Sequence, residues 1–298
     1  MSLSQRNLIA LFVNPITHKE GESMGKKIAI IAGAGSIPLM AIKACKAKGQ
    51  DFVVVALAGI ADTSSFADIP FKSIKLGRIG EAIKYCKSAG ADEVILIGSL
   101  RRPSFKELSM DLWTARRVAK ISLSIFGDDS ILSAVIREIE KEGLKVKGIQ
   151  EILPELLVPA GLYTKHKPGK RAKIDINRGM EVLQELGKLD IGQSAIIQQG
   201  MVIGVEAIEG TDALIKRCKD LMRKGEAGVL VKMKKVGQET RVDLPTIGVT
   251  TVENAHASGL QGIAFEAGAT LVVDFDAVVA KANEFGLFLI AINKGDKL

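Results

Sequence analysis

Aromatic side chains are scarce in this sequence: Phe, Trp and Tyr together make up 4% of its 298 residues, with a single Trp. Proteins that hold single-stranded nucleic acid by stacking need aromatics interleaved with arginine, and that footprint is missing, which argues against a nucleic-acid partner. Histidine is equally rare. His18, His166 and His256 are the only three, and none has a second histidine at metal-ligand spacing, so a histidine relay or a zinc site is disfavoured. Cys45, Cys86 and Cys218 are an odd number without C-x-x-C spacing; they indicate no disulfide framework and fit a reducing cytoplasm. Cys45 and Cys86 fall inside helical patterns, where small buried hydrophobes are expected. Long apolar runs are missing as well. The longest stretches free of Asp, Glu, Lys and Arg, 28–42 and 191–205, have 15 residues each and are broken by glycine and by proline or glutamine, too short to span a bilayer. G-x-x-x-x-G-K-[ST] does not occur, which removes support for a P-loop reading.

What is present is an ordinary globular composition, 47% hydrophobic and 25% charged, over a length that suggests two domains. The net charge of +7 favours an anionic partner without choosing among nucleic acid, a phosphorylated metabolite and an acidic membrane surface. Residues 1–24 read as an extension: the apolar run from Leu8 to Val13 is too short for the core of a signal peptide. The folded part is expected to start near Met24.

From there strands and helices alternate. The run at 27–32 turns abruptly into Gly33-Ala34-Gly35-Ser36 and a helix ending near Gly49; Phe52–Leu57 is a second strand, 79–89 a helix, and Glu93–Gly98 a third strand. This pattern predicts an α/β fold with a Rossmann-like parallel sheet over 25–155. A helix is written at 128–142, with Asp128 or Asp129 placed to cap it, and a strand at 144–149. Pro154, Pro159, Gly161, Pro168 and Gly169 make 154–170 the densest cluster of breakers in the chain, which places a domain linker at 156–170. A second α/β domain is expected over 171–298: a helix at 174–187, strands near 194–199 and 201–206, a helix at 211–224 and a strand at 227–233.

Several loops could carry chemistry. Gly33, Gly35 and Ser36 follow the first strand as phosphate-binding loops do, but Pro38 stands where a dinucleotide fingerprint has its third glycine and no acidic residue closes the second strand. General phosphate or nucleotide binding, a plain tight turn and NAD binding all remain open there. Gly98, Ser99, Arg101 and Arg102 sit at the carboxyl end of the third strand, where paired arginines either grip phosphate or form an exposed loop. In the second half, the tract from Gly204 to Asp212 puts three carboxylates and two glycines into nine residues before a helix. Glu206 and Asp212 either ligate a hard cation such as Mg²⁺, or cap the helix together with Thr211 and face solvent. Further on, Lys232, Gln238, Arg241 and Asp243 lie around glycine and proline turns in a way that suits a phosphate and metal site.

Taken in order, these motifs resemble the LpxI family, the UDP-2,3-diacylglucosamine pyrophosphatases of Gram-negative lipid A synthesis. The resemblance is carried by Ala-Gly-Ala-Gly-Ser-Ile-Pro, Gly-Ser-Leu-Arg-Arg-Pro and Gly-Asp-Asp in the first half. In the second half it is carried by Gly192-Gln193, the Gly204–Asp212 tract, Lys232, Gly237-Gln238, Arg241-Val-Asp243-Leu-Pro-Thr-Ile-Gly248 and Gly259–Gly268. It covers about 26–292. Val249 follows Gly248 where the family pattern has proline, and residues 1–24 have no counterpart. The resemblance implies a cytoplasmic, Mg²⁺-dependent hydrolase, with Mn²⁺ able to substitute, that splits the substrate into UMP and 2,3-diacylglucosamine 1-phosphate (lipid X) in a cleft between two domains. It carries the catalytic aspartate over to Asp243. Beside that residue, the loops described above supply the candidate metal ligands Asp243, Glu206 and Asp212, and the candidate substrate-binding residues Gly33, Gly35, Ser36, Gly98, Ser99, Arg101, Arg102, Asp128, Asp129, Gln193, Gly210, Thr211, Lys232, Gln238 and Arg241. A diacylated substrate implies contact with the inner face of the inner membrane; a homodimer is left open. The alternatives in other classes are a nucleotide-binding oxidoreductase using the Gly33–Gly35 loop and a non-catalytic basic binder of RNA or membrane surfaces.

Overall fold

The computed structural model describes residues 26–66, 69–100, 109–121 and 128–298. In the first half, nine elements follow one another: β1 (Ile28–Ala32), α1 (Ile37–Ala47), β2 (Phe52–Leu57), β3 (Phe71–Ile74), α2 (Ile79–Ser88), β4 (Glu93–Ile97), α3 (Leu112–Ile121), α4 (Asp128–Lys141) and β5 (Lys145–Lys147). All five strands are parallel, in the order β3-β2-β1-β4-β5. This is the Rossmann-like order, in which the direction of strand addition reverses between β1 and β4. Parallel strands need helices on both faces, and the alternation within β1 shows it. Ile30 packs with Ile42 of α1 and Ile95, whereas its neighbour Ala29 packs with Ile83 of α2 and Ile136 of α4.

Twelve elements make the second half: β6 (Gly161–Leu162), α5 (Lys170–Lys188), β7 (Ser194–Gln198), β8 (Met201–Val205), α6 (Thr211–Cys218), β9 (Val229–Lys232), β10 (Thr246–Ile247), α7 (Val249–Ala257), β11 (Gly262–Glu266), β12 (Leu271–Val272), α8 (Phe275–Glu284) and β13 (Phe288–Ile292). Six of the strands form a mixed sheet in the order β6-β13-β11-β9-β7-β8, in which β9, β11 and β13 pair in parallel and the β6–β13, β9–β7 and β7–β8 pairs are antiparallel. Strands β10 and β12 pair on their own. The mixed sheet is also covered on both faces, by α6, α7 and α8 on one side and α5 on the other. The β7–β8 hairpin turns through Gln199 and Gly200, both at positive φ, and the fully buried Asp175 of α5 accepts hydrogen bonds from their N–H groups at 2.9 and 2.6 Å.

The segment 156–170 is itself ordered. Gly161 and Leu162 pair with Ala291 and Ile290 of β13, and Val158 joins the second core. Contacts also cross between the halves: Leu244 and Leu271 pack into the core on one face of the first sheet, and Val242 into the core on the other. At the start of α7, Val249 occupies the first helical position after the Gly248 cap. That is the position proline favours, so both residues suit the same turn geometry. Among the described residues no helix is long and apolar enough to cross a membrane.

Candidate active site

Two groups of the expected site residues come together, one at each sheet. In the first, the loops leaving β1 and β4 are tied to each other by backbone hydrogen bonds: Gly33 N–H donates to Ile97 at 2.7 Å, Ala34 N–H to Ser99 at 3.0 Å, and Ser99 N–H to Ala34 at 2.9 Å. Gly98 has a φ of 97°, and a Cβ there would stand 2.7 Å from the Ala34 carbonyl oxygen. Gly33 and Gly98 are therefore explained by the close approach of two loops at the point where the strand order reverses. Gly35 and Ser36 lie beyond the tie. A Cβ at Gly35 would meet nothing within 4 Å, and Ser36 leads into α1 without a side-chain cap, so the first N–H groups of the helix have no capping side chain there. Asp128 and Asp129 begin α4, but their side chains lie outside the described residues, as do Arg101 and Arg102.

The second group gathers at the carboxyl edge of the mixed sheet. Lys232 ends β9 and pairs in register with Ser194 of β7 and Phe265 of β11. It is 3% exposed, so its ammonium lies inside the protein. Burial pulls its pKa down, and the charges of Glu206, Asp212 and Asp243 oppose that shift. A buried cation facing three carboxylates is the electrostatic centre of the site.

The hydroxyl of Thr211 organises this centre. It receives a hydrogen bond from Lys232 Nζ, donates to Glu206 Oε2 at 3.1 Å and lies 3.0 Å from Ser194 Oγ. Thr211 has a single proton, committed to Glu206, so Ser194 donates to it. Glu206 itself is placed by its backbone: its N–H donates to Ser194 at 2.8 Å, and its carbonyl oxygen lies so close to Gly192 that a Cβ there would stand 1.9 Å away. Gly192, at φ 53°, is thus the residue that lets the 191–194 and 206–211 loops meet. Gly210 caps α6 at φ 84° and turns the chain so that Thr211 and Asp212 point into the site.

Asp243 enters from the loop after β9. Its Oδ2 accepts from Gln238 Nε2 at 2.7 Å; the same nitrogen reaches Gln193 Oε1 at 3.3 Å, and Gln238 Oε1 accepts from Lys235 N–H at 2.9 Å. Gln238 is only 6% exposed and its amide is spent on these three partners. In this structure it holds Asp243 in place. Arg241 is also engaged, with Nε and Nη2 on Glu239 at 2.9 and 2.8 Å and Nη1 on Glu140 at 2.6 Å.

The suitability of this site for a metal can be judged from its donors. All are hard carboxylate oxygens, and Asp212 Oδ1 is buried without a hydrogen-bond partner. Among the described residues no three Asp, Glu, His or Cys side chains converge into a ligand cage. The donor chemistry is of the hard kind that Mg²⁺ takes, although the three carboxylates do not form one ligand set by themselves.

Two family models match the chain: the LpxI N-terminal domain over residues 27–156 and the LpxI C-terminal domain over 159–290. Over 279 residues, 91% of this chain and 99% of the relative, it is 39% identical to a Caulobacter vibrioides protein named UDP-2,3-diacylglucosamine pyrophosphatase LpxI. The chain belongs to the LpxI family. A solved structure of N5-carboxyaminoimidazole synthase from Aspergillus clavatus, in complex with ADP and an aminoimidazole ribonucleotide, shares 11% identity. The match covers 67% of this chain and 44% of that one at a TM-score of 0.23, too slight to carry any argument.

Two residues of this LpxI-family site were not singled out from the sequence. Ser194, fully buried, belongs to the Thr211 network and directly follows Gly192-Gln193. Glu266 ends β11 beside Lys232, and its Oε2 accepts from Lys234 N–H at 3.0 Å, bracing the loop that carries Asp243. The signal for Glu266 was its place in the Gly259–Gly268 tract.

Proposed function

We propose that this protein hydrolyses the pyrophosphate bond of UDP-2,3-diacylglucosamine, giving UMP and 2,3-diacylglucosamine 1-phosphate, as a Mg²⁺-dependent step of lipid A synthesis. Family membership carries the coarser part, a hydrolase acting on a phosphorus anhydride; the named relative supports the substrate. The observation that bears most weight is the buried Lys232 at the end of β9, joined through the Thr211 hydroxyl to Glu206.

A diphosphate is opened by in-line attack of water, and the barrier is lowered by neutralising charge and aiming the nucleophile. In this reading Asp243, held by Gln238, orients the water and takes its proton. The water oxygen bonds to the α-phosphorus, and the bridging oxygen leaves with the β-phosphate. Lys232 meets the negative charge that develops on the phosphate oxygens, in a site where little solvent screens it. Thr211 and Ser194 fix the direction of its ammonium group. Mg²⁺, when bound, would supply Lewis-acid neutralisation of the diphosphate, held by one or two of Asp243, Glu206 and Asp212 together with the substrate phosphates.

The first domain receives part of the substrate at the uncapped start of α1, where Gly35 and Ser36 offer backbone N–H groups to an anion. Ile208, 85% exposed on the loop between Glu206 and Thr211, puts apolar surface beside the polar site. A substrate with two acyl chains implies an enzyme that collects it from the inner face of the membrane. The test is direct: incubation with UDP-2,3-diacylglucosamine and Mg²⁺, following UMP and the lipid product. Release is expected to stop with EDTA and return with Mg²⁺ or Mn²⁺ but not Zn²⁺. Undiminished release after exhaustive chelation would refute the metal requirement, and no release under any condition would refute the substrate.

A further inference from the structure

We propose that Glu140 and Arg241 form a strut between the domains that positions Asp243, so that the first domain governs the rate of chemistry housed in the second. This rests on the reading that Asp243 serves the attacking water.

Arg241 lies two residues from Asp243 and was expected to bind substrate, yet its guanidinium is committed elsewhere. Nε and Nη2 clamp the Glu239 carboxylate, while Nη1 crosses to Glu140 on α4, 101 residues away. Glu239 is the residue whose backbone carbonyl accepts the N–H of Asp243, at 3.0 Å. A continuous chain of contacts therefore runs from the first-domain helix through Arg241 and Glu239 to the backbone of Asp243.

Apolar contacts repeat the arrangement. Val242 and Leu244, the neighbours of Asp243, pack into the cores on the two faces of the first-domain sheet. The loop carrying the catalytic carboxylate is thus anchored on both sides to the domain that does not own it, and only the Asp243 side chain turns back to Gln238. The ion pair is about one-third exposed at each end, so its contribution to overall stability is small. Its effect on rate is larger, because a displacement of about 1 Å at a reacting group can cost about 100-fold.

The experiment is a double-mutant cycle in the full chain, measuring kcat and KM for UMP release with Glu140→Ala, Arg241→Ala and both together. Glu140→Ala is the decisive variant, since it sits on a first-domain helix away from the reacting groups. It should lower kcat about 10-fold with KM within about twofold, on the scale of a misplaced catalytic group. Glu140→Gln, which keeps the shape, should lower kcat in the same way. The double variant should be no slower than Arg241→Ala. A control, Arg178→Glu, removes an ion pair with Glu181 on α5 and should leave both constants unchanged. Wild-type kcat in both Glu140 variants, additive losses in the double variant, or a rise in KM alone would each overturn the strut. Absence of UMP release by the unmodified protein would instead overturn the functional reading beneath it.

Discussion

Replacing Gly192 with alanine should damage the site without touching any group that meets substrate. The added Cβ would stand 1.9 Å from the Glu206 carbonyl oxygen, where real Cβ atoms essentially never come closer than 3.0 Å. The neighbouring atom is backbone, so no side-chain rotation relieves the clash, and one loop must retreat by about 1 Å, a displacement that can cost about 100-fold in rate. The residue is also at φ 53°, which costs an alanine about 1–2 kcal/mol. Glu206 would be carried away from Thr211, and through Thr211 the Lys232 ammonium would lose its orientation. The expected result is a folded protein, less stable by at least that backbone cost, whose kcat for UMP release falls by about two orders of magnitude. Stability would be followed by urea denaturation and turnover by separating UMP from substrate. A Gly192→Ala enzyme with wild-type kcat would refute the claim that this glycine sets the geometry of the Glu206–Thr211–Lys232 chain.

Asp175→Ala tests structure far from the chemistry: it removes two charge-assisted hydrogen bonds to the β7–β8 turn and should cost about 3 kcal/mol of stability in urea denaturation, so an unchanged midpoint would contradict the role given to that carboxylate. Lys232→Met keeps the volume but removes the cation from among three carboxylates. Its turnover should fall about 10²–10³-fold, the scale of losing a preorganised electrostatic contact, and an unchanged rate would remove Lys232 from the mechanism.

The elements that were plain in the sequence are those whose side chains are buried together. Phe52–Leu57 coincides with β2, and the fully buried Val229–Lys232 lies within the run expected at 227–233. Strand β3 was missed because only Ile74 of its four residues is buried, leaving no apolar run to see. Helix α5 begins at Lys170, four residues before the expected start, since Lys170, Arg171 and Lys173 look like linker residues although they form its exposed first turn. The helix expected at 211–224 ends at Cys218 and continues only as a short 3-10 turn to Leu221.

The site followed the same logic. Clustered carboxylates and the lysine ending a strand were visible as chemistry, because charge at the end of an apolar run has few structural uses. What charge alone could not reveal was partnership. Gln238 and Arg241 have the side chains of ligand-binding residues, but their partners are fixed by the loop fold and by α4 of the other domain. Gly33 and Gly98 resemble a phosphate loop, yet they are needed for two backbones to meet.

The central claim is that Asp243 acts on the water that opens the diphosphate, and single-turnover kinetics of Asp243→Ala with UDP-2,3-diacylglucosamine test it most directly. The account predicts that the variant binds substrate as the unmodified enzyme does, while its rate of UMP formation falls at least about 100-fold. UMP formation at the unmodified rate, or a defect confined to binding, would contradict it.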